Sequence, residues 1–108
     1  MASWWAEGHD LLVTPTISEP PPVLGDLGGP GGDPQKKWQR NLEVIPFTPA
    51  FNVTGQPGIS LPLHSTPGGL PVGVHLVAPY AREDLLIRVA AQLESAAPWA
   101  GRRPPLSA

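Results

Sequence analysis

Residues 47–77 contain two apolar runs separated by a turn sequence, which is the pattern of a β-hairpin. The runs cover 59–63 and 70–78, and the Pro-Gly-Gly between them can adopt the backbone angles of a turn. Alternate residues of the second run share a face. One face is apolar (Val72, Val74, Leu76 and Ala78) and the other is mixed (Gly73, His75 and Val77). Such a hairpin needs a full layer over its apolar face and partial cover over the mixed face.

Charge and cysteine content exclude several partners and chemistries. The 108-residue chain has 7 Lys and Arg against 9 Asp and Glu, a net charge of -2, and its basic residues are scattered. We therefore expect no nucleic acid and no membrane surface as partner. Cysteine is absent and the three histidines lack metal-ligand spacing, so we expect no metal and no cofactor. The sequence shows neither a signal peptide nor the roughly 20 apolar residues that span a bilayer, which predicts a cytoplasmic protein.

Proline and glycine concentrate in one segment. The chain has 16 Pro and 12 Gly, and they dominate residues 15–34. We interpret this segment as a loop, with an extended stretch at 20–22 followed by a flexible glycine-rich linker at 28–32. The rest of the sequence is typical of a globular protein.

Four other elements are predicted around the loop and the hairpin. Residues 10–16 contain three consecutive apolar residues, which predicts a short strand buried on both faces. A helix at 35–44 would place Trp38, Leu42 and Ile45 on one side, and a helical turn at 47–53 would have Thr48 as N-cap and Pro49 at its first position. The clearest amphipathic helix covers 82–97.

These elements lack cover. The first strand and the hairpin together require two layers, but only the helix at 82–97 is plainly amphipathic. Exposed apolar sheet edges invite aggregation, so we infer that a further segment, from a partner or a longer parent protein, completes the layers.

The serine and histidine residues form no established catalytic motif. No serine lies in a Gly-x-Ser-x-Gly or Ser-x-x-Lys sequence. A hairpin could bring Ser60, His64 or His75, and Asp10 together as a triad; we favour the alternative that these are ordinary strand residues. The three prolines at 20–22 are either a polyproline II ligand or a stiff spacer, and we favour the spacer.

Five segments, in order and spacing, resemble the C-terminal end of amidase signature family enzymes. They are residues 9–16, 51–62, 69–79 (which begins Gly-Leu-Pro-Val-Gly), 83–94, and Pro98-Trp99 with Arg103-Pro104-Pro105. Gly58 departs from the family pattern, in which alanine is frequent. The resemblance implies an α/β fold, a mixed sheet with flanking helices that forms the C-terminal part of an incomplete α/β/α sandwich. It also implies that 1–108 is a partial amidase domain, with the loop at 15–34 inside it.

The family hydrolyses amides with two serines and a lysine, and none of these can be assigned here. The only lysines are the adjacent Lys36 and Lys37, and no Gly/Ser-rich segment is present, so the chain carries no catalytic residue of this type. By resemblance, one wall of the substrate pocket would include Thr14, Thr16, Phe47, Phe51 and Asn52.

Three hypotheses follow. The first is that the chain is the C-terminal segment of an amidase-type hydrolase and is inactive alone. The second is that it is the complementing subunit of a split amidase. The third is a non-enzymatic proline-rich interaction module. The expected partner is an N-terminal amidase segment or a second copy bound through the exposed sheet.

Overall fold

A computed structural model describes residues 2–28 and 31–103. The described elements, in chain order, are α1 (Ala2–Ala6), β1 (Leu12–Pro15), α2 (Pro34–Val44), α3 (Pro49–Thr54), β2 (Gly58–Ser65), β3 (Pro71–Val77) and α4 (Glu83–Ala96). The predicted strands and helices are all present. The short helix α1 was not expected from the sequence. None of the described helices is both long and apolar enough to cross a bilayer.

The hairpin forms as predicted. Strands β2 and β3 are antiparallel, and the turn is closed by hydrogen bonds between Thr66 and Leu70 and by Gly69 at φ +84°. The register pairs Leu61 with Val74 but His64 with Val72, so β2 has one extra residue there. This bulge contains Pro62, which has no N–H to give to the ladder.

β3 is the central strand of the sheet, whose order is β1-β3-β2 with both pairs antiparallel. The prediction that the first strand is buried on both faces is wrong for this chain. β1 lies at the edge, its residues alternate in burial, and Val13 is 60% exposed. The run of apolar residues predicts a strand, but it does not predict the position of that strand in the sheet.

Helix α4 covers one face of the sheet. Its Leu86 joins Leu61, Leu76 and Ala78 in the buried core, and Trp99 packs against this cluster. Burying a leucine side chain contributes about 1.5–3 kcal/mol, so this face accounts for much of the stability that the chain can generate. The second face is also partly buried, since Val77 is 0% exposed.

Helices α2 and α3 begin where predicted. Asp33 caps α2, and its carboxylate accepts a hydrogen bond from the Gln35 N–H at 2.9 Å. Thr48 precedes α3 with Pro49 in the first turn, although the Thr48 side chain makes no capping bond.

The proline- and glycine-rich loop is anchored before residue 28, and the flexible linker predicted at 28–32 stays a prediction. Ser18 donates to the carbonyls of Val44 and Glu43 at 3.0 and 2.6 Å. Arg40 of α2 donates to the carboxylates of Asp26 and Glu19. Gly29 and Pro30, in the middle of the predicted linker, lie outside the described residues.

Candidate functional site

The second face of the sheet, opposite α4, carries four polar side chains that we call the polar cluster: Thr14, Thr16, Ser60 and His75. Strand register explains their meeting, because Thr14 and Ser60 are both direct partners of His75 on the central strand. Thr16 follows β1, and its N–H donates to the carbonyl of Gly73 at 3.2 Å. All three strands therefore contribute to one polar surface.

Thr16 and Ser60 form a hydroxyl pair across the central strand. Their oxygens are 2.6 Å apart, although β1 and β2 are not neighbours. Strands lie about 4.8 Å apart, so two outer strands are separated by about 10 Å. The pair closes this gap because Gly73 lies beneath it: a Cβ there would be 2.5 Å from the Thr16 hydroxyl oxygen and 2.6 Å from that of Ser60. Glycine at this position is thus a condition for the contact.

His75 is the buried centre of the polar cluster, with 6% of its surface exposed. Its Nδ1 is hydrogen-bonded to the Thr14 hydroxyl at 3.1 Å, and its ring lies 5.5 Å from that of Phe51, between centroids. The other ring nitrogen faces Gly58, where a Cβ would lie 2.7 Å from Nε2. Burial lowers the pKa of His75 below its ordinary value, so the imidazole is neutral at pH 7.

The polar cluster has no hydrogen bond between its serine hydroxyl and its imidazole, the contact that a nucleophile and its base would make. The Ser60 hydroxyl is bonded to Thr16, and the Nδ1 of His75 is bonded to Thr14. Asp10 lies near Arg82 instead: the hydrogen bond with Asp84 is the main cause that raises the pKa of this guanidinium, and the charge of Asp10 adds to it. His64, the alternative base, is exposed. The chain therefore does not assemble the triad that the hairpin could have formed, in agreement with the interpretation we favoured.

Three of the five predicted pocket residues meet at this surface. Thr14 and Thr16 belong to the polar cluster, and Phe51 packs on its central imidazole. Phe47 is half-buried before α3 and Asn52 is exposed on it. Within the described ranges, neither of these two makes a hydrogen bond or ring contact with the cluster. That any of the five lines a substrate pocket stays a prediction.

Metal-binding groups do not gather in the described part of the chain. No group of three or more His, Asp or Glu side chains there could hold an ion. The aromatic residues near the N-terminus instead contact each other: the Trp4 ring stacks on His9 with centroids 4.2 Å apart.

A family model called Amidase matches residues 1–87, which is most of the chain. The chain belongs to the amidase family. This amidase chain is 47% identical over 108 aligned residues to the 6-aminohexanoate-cyclic-dimer hydrolase of Paenarthrobacter ureafaciens, a match that covers 95% of the chain and 22% of the relative. It is 46% identical over 92 residues to the putative amidase AmiC of Mycobacterium bovis, covering 85% of the chain and 19% of that protein.

A solved structure of 6-aminohexanoate cyclic dimer hydrolase superposes on the amidase chain with a TM-score of 0.85 and 45% identity, covering 95% of the chain and 22% of the hydrolase. The fold class is therefore confirmed as the C-terminal part of an amidase signature fold. The chain spans about a fifth of the length of these relatives, and it corresponds to a C-terminal amidase segment, as the sequence motifs indicated.

Sequence reasoning did not identify Ser60 and His75 as partners of Thr16 and Thr14. Two signals could have pointed to them. Gly58 begins β2 and Gly73 lies within β3, and a glycine in a strand often marks a close approach by another group. The departure from alanine at 58 could also have prompted a search for the side chain that fills the space, which the structure identifies as His75.

Proposed function

We propose that this chain is the C-terminal segment of an amide hydrolase and that the complete enzyme opens cyclic amides of the 6-aminohexanoate type. The observation that carries the proposal is the superposition of 95% of the chain on 6-aminohexanoate cyclic dimer hydrolase at 45% identity. The substrate of the complete enzyme is inferred from two relatives of that name, each of which is 47% identical to the chain.

The role of this segment is to build one wall of the site, and the reacting groups come from an N-terminal amidase segment. The side chains of the polar cluster already form hydrogen bonds with each other, between two hydroxyls and between a hydroxyl and the neutral imidazole. This favours a structural role for the surface over a catalytic one. An amide substrate is uncharged, so a wall without formal charge suits it. The N-terminal segment is either part of the same polypeptide or a separately made subunit.

A chimera tests this role. The C-terminal segment of the Paenarthrobacter ureafaciens hydrolase that matches this chain is replaced by residues 1–108, and hydrolysis of the 6-aminohexanoate cyclic dimer is measured. We expect the chimera to hydrolyse the dimer, while the truncated hydrolase and the isolated chain do not. An insoluble chimera beside a soluble parent enzyme, or a folded chimera that cleaves no amide, would contradict the proposal.

Two further outcomes have separate meanings. A chimera that cleaves linear amides but not the cyclic dimer would agree with the proposed role of the segment. It would refute the proposed substrate class. Amide hydrolysis by the isolated chain that disappears in Ser60→Ala would refute the supporting role, since it would make Ser60 a nucleophile. The cytoplasmic location expected from the sequence stays a prediction.

A further inference from the structure

Helix α2 presents an apolar stripe to solvent, formed by Trp38, Leu42 and Ile45. The spacing of four and then three residues places these side chains on one face of the helix, with Ile45 at its C-cap. In this chain they are 67%, 47% and 39% exposed. An outward helix face is normally polar, and a large exposed tryptophan beside aliphatic residues is typical of a binding surface.

The described part of the chain's own loop leaves this stripe exposed and is bonded to α2 mainly on the opposite side. The Asn41 amide, at the edge of the stripe, donates to the carbonyl of Leu27 at 3.0 Å, and Arg40, on the far side of the helix, donates to Asp26 at 2.8 Å. Val44 is buried on the same side. At 100° per residue Arg40 and Val44 are rotated by more than about 120° from the centre of the stripe, whereas Asn41 lies beside it. The helix is therefore fixed to its own chain by one flank and presents a second, apolar one.

We propose that the stripe docks against the N-terminal amidase segment. This inference rests on the proposed function and specifies the surface by which the segment joins the enzyme. Nearly four-fifths of the Paenarthrobacter ureafaciens relative lies outside the match, which takes up 22% of its length. That missing protein is the occupant we assign. Burial of a tryptophan and two aliphatic side chains would supply the apolar centre that stable interfaces need.

Thiol labelling in the chimera tests the docking directly. The chain has no cysteine, so Leu42→Cys introduces a single thiol on the stripe, and mass spectrometry of its peptide separates it from any cysteine of the parent hydrolase. Ile87→Cys is the control, because Ile87 on α4 is as exposed as Trp38, at 67%, and lies outside the stripe. We expect Leu42→Cys to react with a maleimide about tenfold more slowly than Ile87→Cys.

Each outcome decides a separate question. An inactive unsubstituted chimera refutes the proposed function before the docking is tested. An active chimera in which both thiols react equally fast refutes the docking. If the protection of Leu42→Cys disappears when the protein is diluted until its oligomers dissociate, the occupant is a second copy of the chain. That result also refutes docking against the N-terminal segment. Should Leu42→Cys itself inactivate the chimera, the comparison is Trp38→Ser with Ile87→Ser: only the first should lower the midpoint of thermal unfolding, and equal effects refute the docking.

Discussion

Replacing Gly58 with alanine should drive the new methyl group into His75. The ideal Cβ would lie 2.7 Å from Nε2, so the ring must retreat by about 0.7 Å to restore an ordinary contact of 3.4 Å. The imidazole has little room, because it is 6% exposed and bonded to Thr14 at 3.1 Å. Overpacking of a core costs about 1–3 kcal/mol, and loss of the Thr14 hydrogen bond about 1 kcal/mol more. We expect Gly58→Ala to reduce the free energy of unfolding by about 2–4 kcal/mol.

A double-mutant cycle isolates this contact. Urea unfolding is measured for the active chimera and for its Gly58→Ala, His75→Ala and doubly substituted forms. With the imidazole removed, alanine at 58 should be neutral or slightly stabilising, because Gly58 is not among the described glycines with positive φ. The two substitutions should therefore be strongly non-additive. Equal costs of Gly58→Ala in both backgrounds would refute the assignment of His75 as the group that requires glycine.

Two other predictions concern the same face of the sheet. Burial lowers the pKa of His75 below 6.5, so the unfolded chain binds more protons as the pH falls below 6.5, and stability should decrease between 6.5 and the folded-state pKa. His75→Gln should flatten urea-unfolding profiles in that acidic window, and an unaltered profile in this variant would contradict the assignment. Gly73→Ala should cost about 1–3 kcal/mol by separating the hydroxyl pair. The control Gly68→Ala meets no atom closer than 3.8 Å and should be nearly neutral, so similar losses in both variants would count against the pair.

Much of the fold follows from local patterns. The hairpin and helices α2, α3 and α4 each depend on residues close together in sequence, and the structure has them within a few residues of the predicted bounds. β1 shows the boundary of such reasoning. Leu11, Leu12 and Val13 predict a strand, but whether Val13 is buried depends on which strands and helices flank it, and at the sheet edge it is 60% exposed.

The same contrast applies to the loop at 15–34. Its composition predicts irregular backbone, and the described part is irregular. Composition does not reveal that Arg40 would bind both Glu19 and Asp26 and fix the loop on α2. Such ion pairs join residues 21 and 14 positions apart, so they depend on how the helix and the loop fold onto each other.

The amino-acid sequence by itself determined the family and, apart from α1, the order of strands and helices along the chain, because motifs and periodicity are properties of neighbouring residues. Only the tertiary structure decided the polar cluster. Its two hydrogen bonds join residues 61 and 44 positions apart, and they form because antiparallel register places three strands side by side. Glycine at 58 and 73 then leaves space for side chains from other strands, a consequence of packing that no local pattern contains.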